Sequence, residues 1–83
     1  MWYVYILKSL KTSYKYIGST NDIKRRLNEH NSGLSSSTKP YMPFEIEAYI
    51  AVNSEKKARD LEKYFKTGSG RAVLNKRILT DEA

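Results

Sequence analysis

The sequence predicts one small domain of mixed α/β (α+β) class: a three-stranded antiparallel-type sheet flanked by helices, in the order β-β-α-β-α-α. Three observations lead there. Two β-branched and aromatic runs stand close together near the start, and a third lies at Phe44–Val52. Segments with helical apolar spacing follow residues suited to capping. A chain of 83 residues has room for only one core.

Residues 2–8 (WYVYILK) read as the first strand and 14–18 (YKYIG) as the second, with polar Ser9–Ser13 as a hairpin loop between them. The pair should therefore be antiparallel. Thr20 or Asn21 offers an N-cap, Asp22 suits a first helical turn, and Asn31–Gly33 supplies a stop, which places a helix over 22–31. Ser32–Pro43 is a polar loop with two prolines, and Phe44–Val52 (FEIEAYIAV) alternates as a third strand. Ser54 caps a second helix running to about Lys66 and ended by Gly68. Ser69 and Gly70 open a shorter helix to about Leu79, beyond which the tail is expected to fray. None of this sets the order of strands in the sheet.

Composition narrows the chemistry. Cysteine is absent, which removes disulfides, thiolate metal sites and cysteine nucleophiles. The apolar start, Trp2 to Leu7, is interrupted by Lys8 and is too short for a signal peptide or a membrane span. A soluble, cytoplasmic protein without a membrane partner is the expectation. The net charge of +6 is uneven: residues 1–43 carry seven Lys/Arg against Asp22 and Glu29, while the remainder is nearly balanced. Such a half suits polyanions, nucleic acid first among them, although basic surfaces also serve solubility alone.

Several polar residues fall where apolar ones should. Successive strand residues face opposite sides, so Tyr3, Tyr5 and Leu7 share one face and Trp2, Val4 and Ile6 the other. Tyr14, Tyr16 and Gly18 share a face of the second strand. Pairing the hairpin can bring Tyr5 and Tyr16 together, either as two phenols aimed at one place or as ordinary strand tyrosines with wet hydroxyls. On the first helix, Arg26 and His30 border the stripe of Ile23 and Leu27, whereas Arg25 points away from it. Arg26 is open to two readings, a site residue or a snorkelling side chain. On the second helix, Glu62 lies inside the arc of Ala58, Leu61 and Phe65, where a carboxylate needs a partner. Arg26, Lys66 one turn on, or a metal ion are the three candidates.

These residues also carry a family pattern, and the chain resembles the GIY-YIG nucleases. Tyr3-Val4-Tyr5 stands for the first motif with only its last tyrosine kept, and Tyr16-Ile17-Gly18 matches the second in full. Arg26 and His30 stand at the family's spacing behind Tyr16, Glu62 at the place of its metal-binding glutamate, and Asn75 at that of a later asparagine. The likeness covers about residues 2–79 of a single domain taken as 1–83. Tyr3 replaces the first glycine, and Ser19 stands where one branch of the family has lysine.

The resemblance implies a metal-dependent endonuclease acting on nucleic acid, DNA first, with low or structure-directed specificity and a place in repair or recombination. It implies Tyr5 as base or base relay, Tyr16 orienting the water or holding the phosphate, Arg26 on the scissile phosphate, and His30 as donor or alternative base. Glu62 would anchor one Mg²⁺ or Mn²⁺ ion. Lys39 and Arg71, with Asn75, are candidate nucleic-acid contacts. The alternative is a nucleic-acid-binding adaptor that keeps the fold without turnover, with Ser19 the first residue to suspect.

Overall fold

A computed structural model describes residues 1–80 of the chain. Strands β1 (Trp2–Ser9), β2 (Lys15–Thr20) and β3 (Phe44–Val52) form one sheet. Helix α1 (Ile23–Asn31) lies between β2 and β3, and α2 (Glu55–Phe65) and α3 (Gly68–Val73) follow β3. A 3-10 turn covers Lys39–Tyr41, and α3 runs on into a π-helical turn at Leu74–Ile78. The expected order of elements is the observed one. Fraying of the tail lies, from residue 81 onward, outside the described residues.

The sheet order is β2-β1-β3 with both pairings antiparallel. β1 is central because it alone is apolar on both faces: Val4, Ile6 and Leu7 are fully buried and Tyr5 is 1% exposed. Val4 and Ile6 pack with Ile17, Ala58, Phe65 and Leu74 under α2 and α3. Tyr5 and Leu7 pack with Phe44 on the α1 side, beside Leu27, Tyr14, Tyr16 and Ile46. The face division expected for the first strand is thus the observed one. A bulge in β3, where Ile6 opposes Ala48 and Leu7 opposes Ile46, leaves Glu47 as the extra residue.

Helix ends follow local chemistry, with some shifts from expectation. The N-cap of α1 is Asp22, not Thr20 or Asn21: its carboxylate accepts from Arg25 N at 3.0 Å, while the Thr20 hydroxyl accepts from Asp22 N at 3.1 Å. The stop is a Schellman motif: Leu34 N donates to Glu29 O, Gly33 N donates to His30 O, and Gly33 takes φ +77°. Asn31 then ties the helix to β3, its amide donating to Phe44 O at 3.0 Å and its oxygen accepting from Phe44 N at 2.7 Å. Ser54 caps α2 as expected, and Thr67, ahead of the expected Ser69, caps α3.

Gly70 lets α3 cross the end of α2 at backbone contact, since a Cβ there would sit 1.8 Å from Tyr64 O and 2.9 Å from Phe65 Cα. Gly68 has open space around it. Gly70→Ala should therefore cost at least ~2 kcal/mol, whereas Gly68→Ala should be neutral or gain a few tenths of a kcal/mol. Urea denaturation of the two variants checks this; equal stabilities would remove the crossing as the reason for Gly70.

Candidate active site

The register of β1 on β2 sets Tyr5 opposite Gly18 and Leu7 opposite Tyr16. Tyr5 and Tyr16 are therefore diagonal neighbours on the α1 face, with ring centroids 6.2 Å apart. The Tyr5 ring crosses directly over Gly18: a Cβ at that position would meet Tyr5 Oη at 2.5 Å, Tyr5 Cζ at 2.7 Å and Tyr16 Cε2 at 2.9 Å. Only a glycine admits the phenol here.

α1 adds two side chains. His30 is fully buried, its Nε2 3.1 Å from Tyr5 Oη and its Nδ1 2.8 Å from Thr38 Oγ1. Its ring lies 4.9 Å from that of Tyr16. Arg26 is half-buried and donates from Nη1 to Glu29 Oε1 at 2.8 Å. Arg25 is exposed and donates to Asn21 Oδ1 at 3.2 Å. The expected contrast between the two arginines is present, and Arg26 meets a carboxylate on its own helix.

The electrostatics follow from burial. Burial, with the neighbouring Tyr16, pushes the Tyr5 phenol up to about 12, against the pull of charge and hydrogen bonding from Arg26. Burial and the Arg26 charge hold His30 below the usual histidine value, with Glu29 opposing. At neutral pH the pair is a neutral phenol facing a neutral imidazole.

α2 supplies the opposite side of the site. Ser19 alternates with Gly18 and Thr20 onto the α2 face, where its hydroxyl donates to Glu62 Oε1 at 2.6 Å. Lys66 Nζ donates to Glu62 Oε2 at 2.8 Å and lies 6.0 Å from the Tyr16 ring centroid. Burial raises the Glu62 carboxyl, but the hydrogen bonds from Lys66 and Ser19 outweigh it and hold the group below its usual range. Glu62 thus pairs with Lys66 and not with Arg26. Because β2 is an edge strand, side chains from both faces of the sheet can meet around its free edge.

A groove of about 360 Å³ continues from this edge, lined by Tyr14, Tyr16, Lys66, Arg71, Leu74 and Asn75 among others. Arg71 and Asn75 therefore adjoin the cluster. Lys39 does not line that groove; it sits exposed on the 3-10 turn, its stem 3.6 Å from where a Gly33 Cβ would be. Thr38, Lys66 and Glu29 complete the arrangement; the sequence offered Lys66 as a partner for Glu62, and it gave Thr38 and Glu29 no place in the site. Thr38 carried no signal beyond membership of a Ser/Thr run. Among the described residues no group of three or more His, Cys, Asp or Glu is placed to hold a metal ion. No described helix is long and apolar enough to cross a membrane.

The family model described as the GIY-YIG catalytic domain matches residues 1–77. The chain belongs to the GIY-YIG family. This GIY-YIG domain is 36% identical over 73 residues to UPF0213 protein SAG0778 of Streptococcus agalactiae, covering 87% of this chain and 82% of that protein. The solution NMR structure of UPF0213 protein BH0048 from Bacillus halodurans is similar at a TM-score of 0.52 and 32% identity, covering 90% of this chain and 83% of that one. The family is a nuclease superfamily, and membership brings nucleic-acid binding as its general property.

His30 is the only histidine of the chain, so its burial can be read from stability. The unfolded chain binds the proton near the ordinary histidine value of 6.5, and the folded chain only at lower pH. Between those two values the unfolded state holds more protons, so stability falls as pH falls through that window and is unaffected by this group above it. His30→Gln should flatten that part of the profile. Urea midpoints of both proteins from about pH 7 to about pH 5 check it; parallel profiles would contradict the burial of a neutral imidazole.

Proposed function

We propose that this GIY-YIG domain is a divalent-metal-dependent endonuclease hydrolysing phosphodiester bonds, DNA before RNA, with structure-directed rather than sequence-directed specificity and a role in DNA repair or recombination. The observation that carries the reading is the gathering around Tyr16 of a buried tyrosine–histidine pair, with Arg26 on the same helix as that histidine, and of the Lys66–Glu62 pair that reaches it past the edge of β2.

In this reading Tyr16, half-buried at the edge, is the phenol a substrate meets first, and it orients the attacking water. The water gives its proton to the Tyr5 oxygen as Tyr5 passes its own to His30 Nε2, 3.1 Å away. A phenol held up at about 12 is a poor resident base, which is why the proton ends on the imidazole. Arg26 spends Nη1 on Glu29, leaving its other donors for the oxygens of the scissile phosphate. Lys66, Arg71 and Asn75 guide the strand through the groove beside Tyr16.

Glu62 fits a hard, hydrated cation. It is an ionised oxygen donor, oriented by the Ser19 hydroxyl and paired with the Lys66 ammonium, and Mg²⁺ or Mn²⁺ keeps most of its own waters. Such an ion held there supplies Lewis-acid stabilisation of charge on the leaving oxygen. Lys66 neutralises the carboxylate otherwise. One observation favours the adaptor reading: both Glu62 oxygens already have protein partners.

Single-turnover cleavage of flapped, branched and single-stranded DNA and of RNA, with and without Mg²⁺ or Mn²⁺, separates the two. Metal-dependent products support the nuclease; binding that weakens steeply with salt but yields no product supports the adaptor. Glu62→Gln should abolish metal-dependent cleavage in a chain that still folds. Full activity in that variant would end its assignment as the metal ligand.

Arg26→Ala should lower the single-turnover rate at least ~100-fold, as expected for loss of a donor to transition-state charge. Arg25→Ala should weaken binding modestly and lessen its salt dependence by about one phosphate. Arg26→Lys should stay poor, because a point charge lacks the fork. Equal rate losses at 25 and 26 would leave only a basic surface.

A further inference from the structure

Thr38 opens the 3-10 turn, yet its hydroxyl does not cap that turn. A threonine at such a position ordinarily gives its side-chain oxygen to a backbone N–H. Here the residue is fully buried and its Oγ1 is turned inward, 2.8 Å from His30 Nδ1. Its own hydroxyl proton has Ser35 O at 3.4 Å as acceptor. Thr38 N and Lys39 N donate to the same carbonyl, at 3.2 Å and 3.0 Å, which fixes the turn and the hydroxyl together.

Donor and acceptor roles along this chain are set by what each atom has available. The Tyr5 phenol is buried, so its proton needs an acceptor, and His30 Nε2 at 3.1 Å is the one within reach. Nε2 must then carry a lone pair. A neutral imidazole with a bare Nε2 has its proton on Nδ1, and that proton falls on Thr38 Oγ1. Every donor is then satisfied: Tyr5 to His30, His30 to Thr38, Thr38 to Ser35 O. In the reverse arrangement Thr38 donates to Nδ1 and Nε2–H points at Tyr5, leaving a buried phenol proton without a described acceptor. Arg26, Glu29, Tyr5 and Tyr16 are the ionisable groups facing the ring, and the nearest positive charge, Arg26, disfavours a doubly protonated imidazole.

We propose that Thr38 is a positioning residue that fixes His30 in its Nδ1–H tautomer, so that Nε2 is held as proton acceptor for Tyr5. The catalytic consequence rests on the nuclease reading above; the tautomer does not. A third group that fixes the tautomer of a histidine base is the logic that orients imidazoles in hydrolytic triads, here with a hydroxyl in place of a carboxylate.

Two measurements test it. Long-range ¹H–¹⁵N correlation spectra of the single histidine, above its titration range, should show a protonated Nδ1 and a bare Nε2. Thr38→Val, similar in shape without the hydroxyl, should shift that population toward Nε2–H, and Thr38→Ser should keep it. Single-turnover cleavage should fall ~10- to 100-fold in Thr38→Val, the range for losing an orienting partner, with nucleic-acid affinity unchanged and most of the rate kept in Thr38→Ser. An Nε2–H tautomer in the native protein, or Thr38→Val with native tautomer and rate, overturns the proposal. If Thr38→Val does not fold, the native and Thr38→Ser spectra decide. If no substrate is cleaved, the nuclease reading fails while the spectra still decide the tautomer.

Discussion

Among the described residues β1 is the only strand with a partner on each side and a helix layer on each face, and the rest of the domain depends on that double burial. Its alternation sends Val4 and Ile6 to an apolar core under α2 and α3, and Tyr5 and Leu7 to a second cluster beside α1. The first is an ordinary hydrophobic core. The second is different in kind, because a phenol and an imidazole occupy its centre. Polar groups without water are tolerated there because they satisfy one another, which also makes the cluster rigid. Placing the phenol on the central strand sets the dielectric around it, and this is why Tyr5 and His30 both depart from their ordinary values in the direction of the neutral form.

The edge position of β2 has a complementary effect. A central strand would separate what lies above it from what lies below. At an edge, Lys66 from α2 can come near a Tyr16 ring whose neighbours are on the α1 side. The charges gathered there are largely compensated: Lys66 by Glu62, Arg26 by Glu29, and Lys15 by Glu47 at 3.0 Å. Such partly exposed pairs contribute little to stability and are readily exchanged. They keep the basic groups oriented without locking them away from solvent.

What the sequence made legible was local. Alternation gave the faces of β1, helical spacing separated Arg26 from Arg25, and Glu62 was marked as a carboxylate on an apolar arc. Each depends on residues within one element. The misplaced cap of α1 is a failure of the same local kind, because Thr20, Asn21 and Asp22 are all competent caps and only the backbone path decides among them. The sheet order and the separation of Lys39 from the groove depend on how elements dock, and no spacing encodes that, whereas Lys66, the partner Glu62 takes, stands one turn on and was among the candidates that spacing offered. Thr38 was invisible for a further reason: a threonine in a polar loop looks the same whether its hydroxyl meets water or an imidazole.

Gly18 carries a consequence for how such a chain can change over descent. The glycine is the mould of the Tyr5 ring, so positions 5 and 18, in different motifs, form one steric unit. A larger residue at 18 requires that the ring at 5 has gone and that the Tyr16 ring gives way as well, whereas a smaller residue at 5 is sterically compatible with the glycine. The two sites can therefore be altered more readily in one order than in the other, and a lineage that has lost the phenol is one in which only the Tyr16 ring still holds the position to glycine.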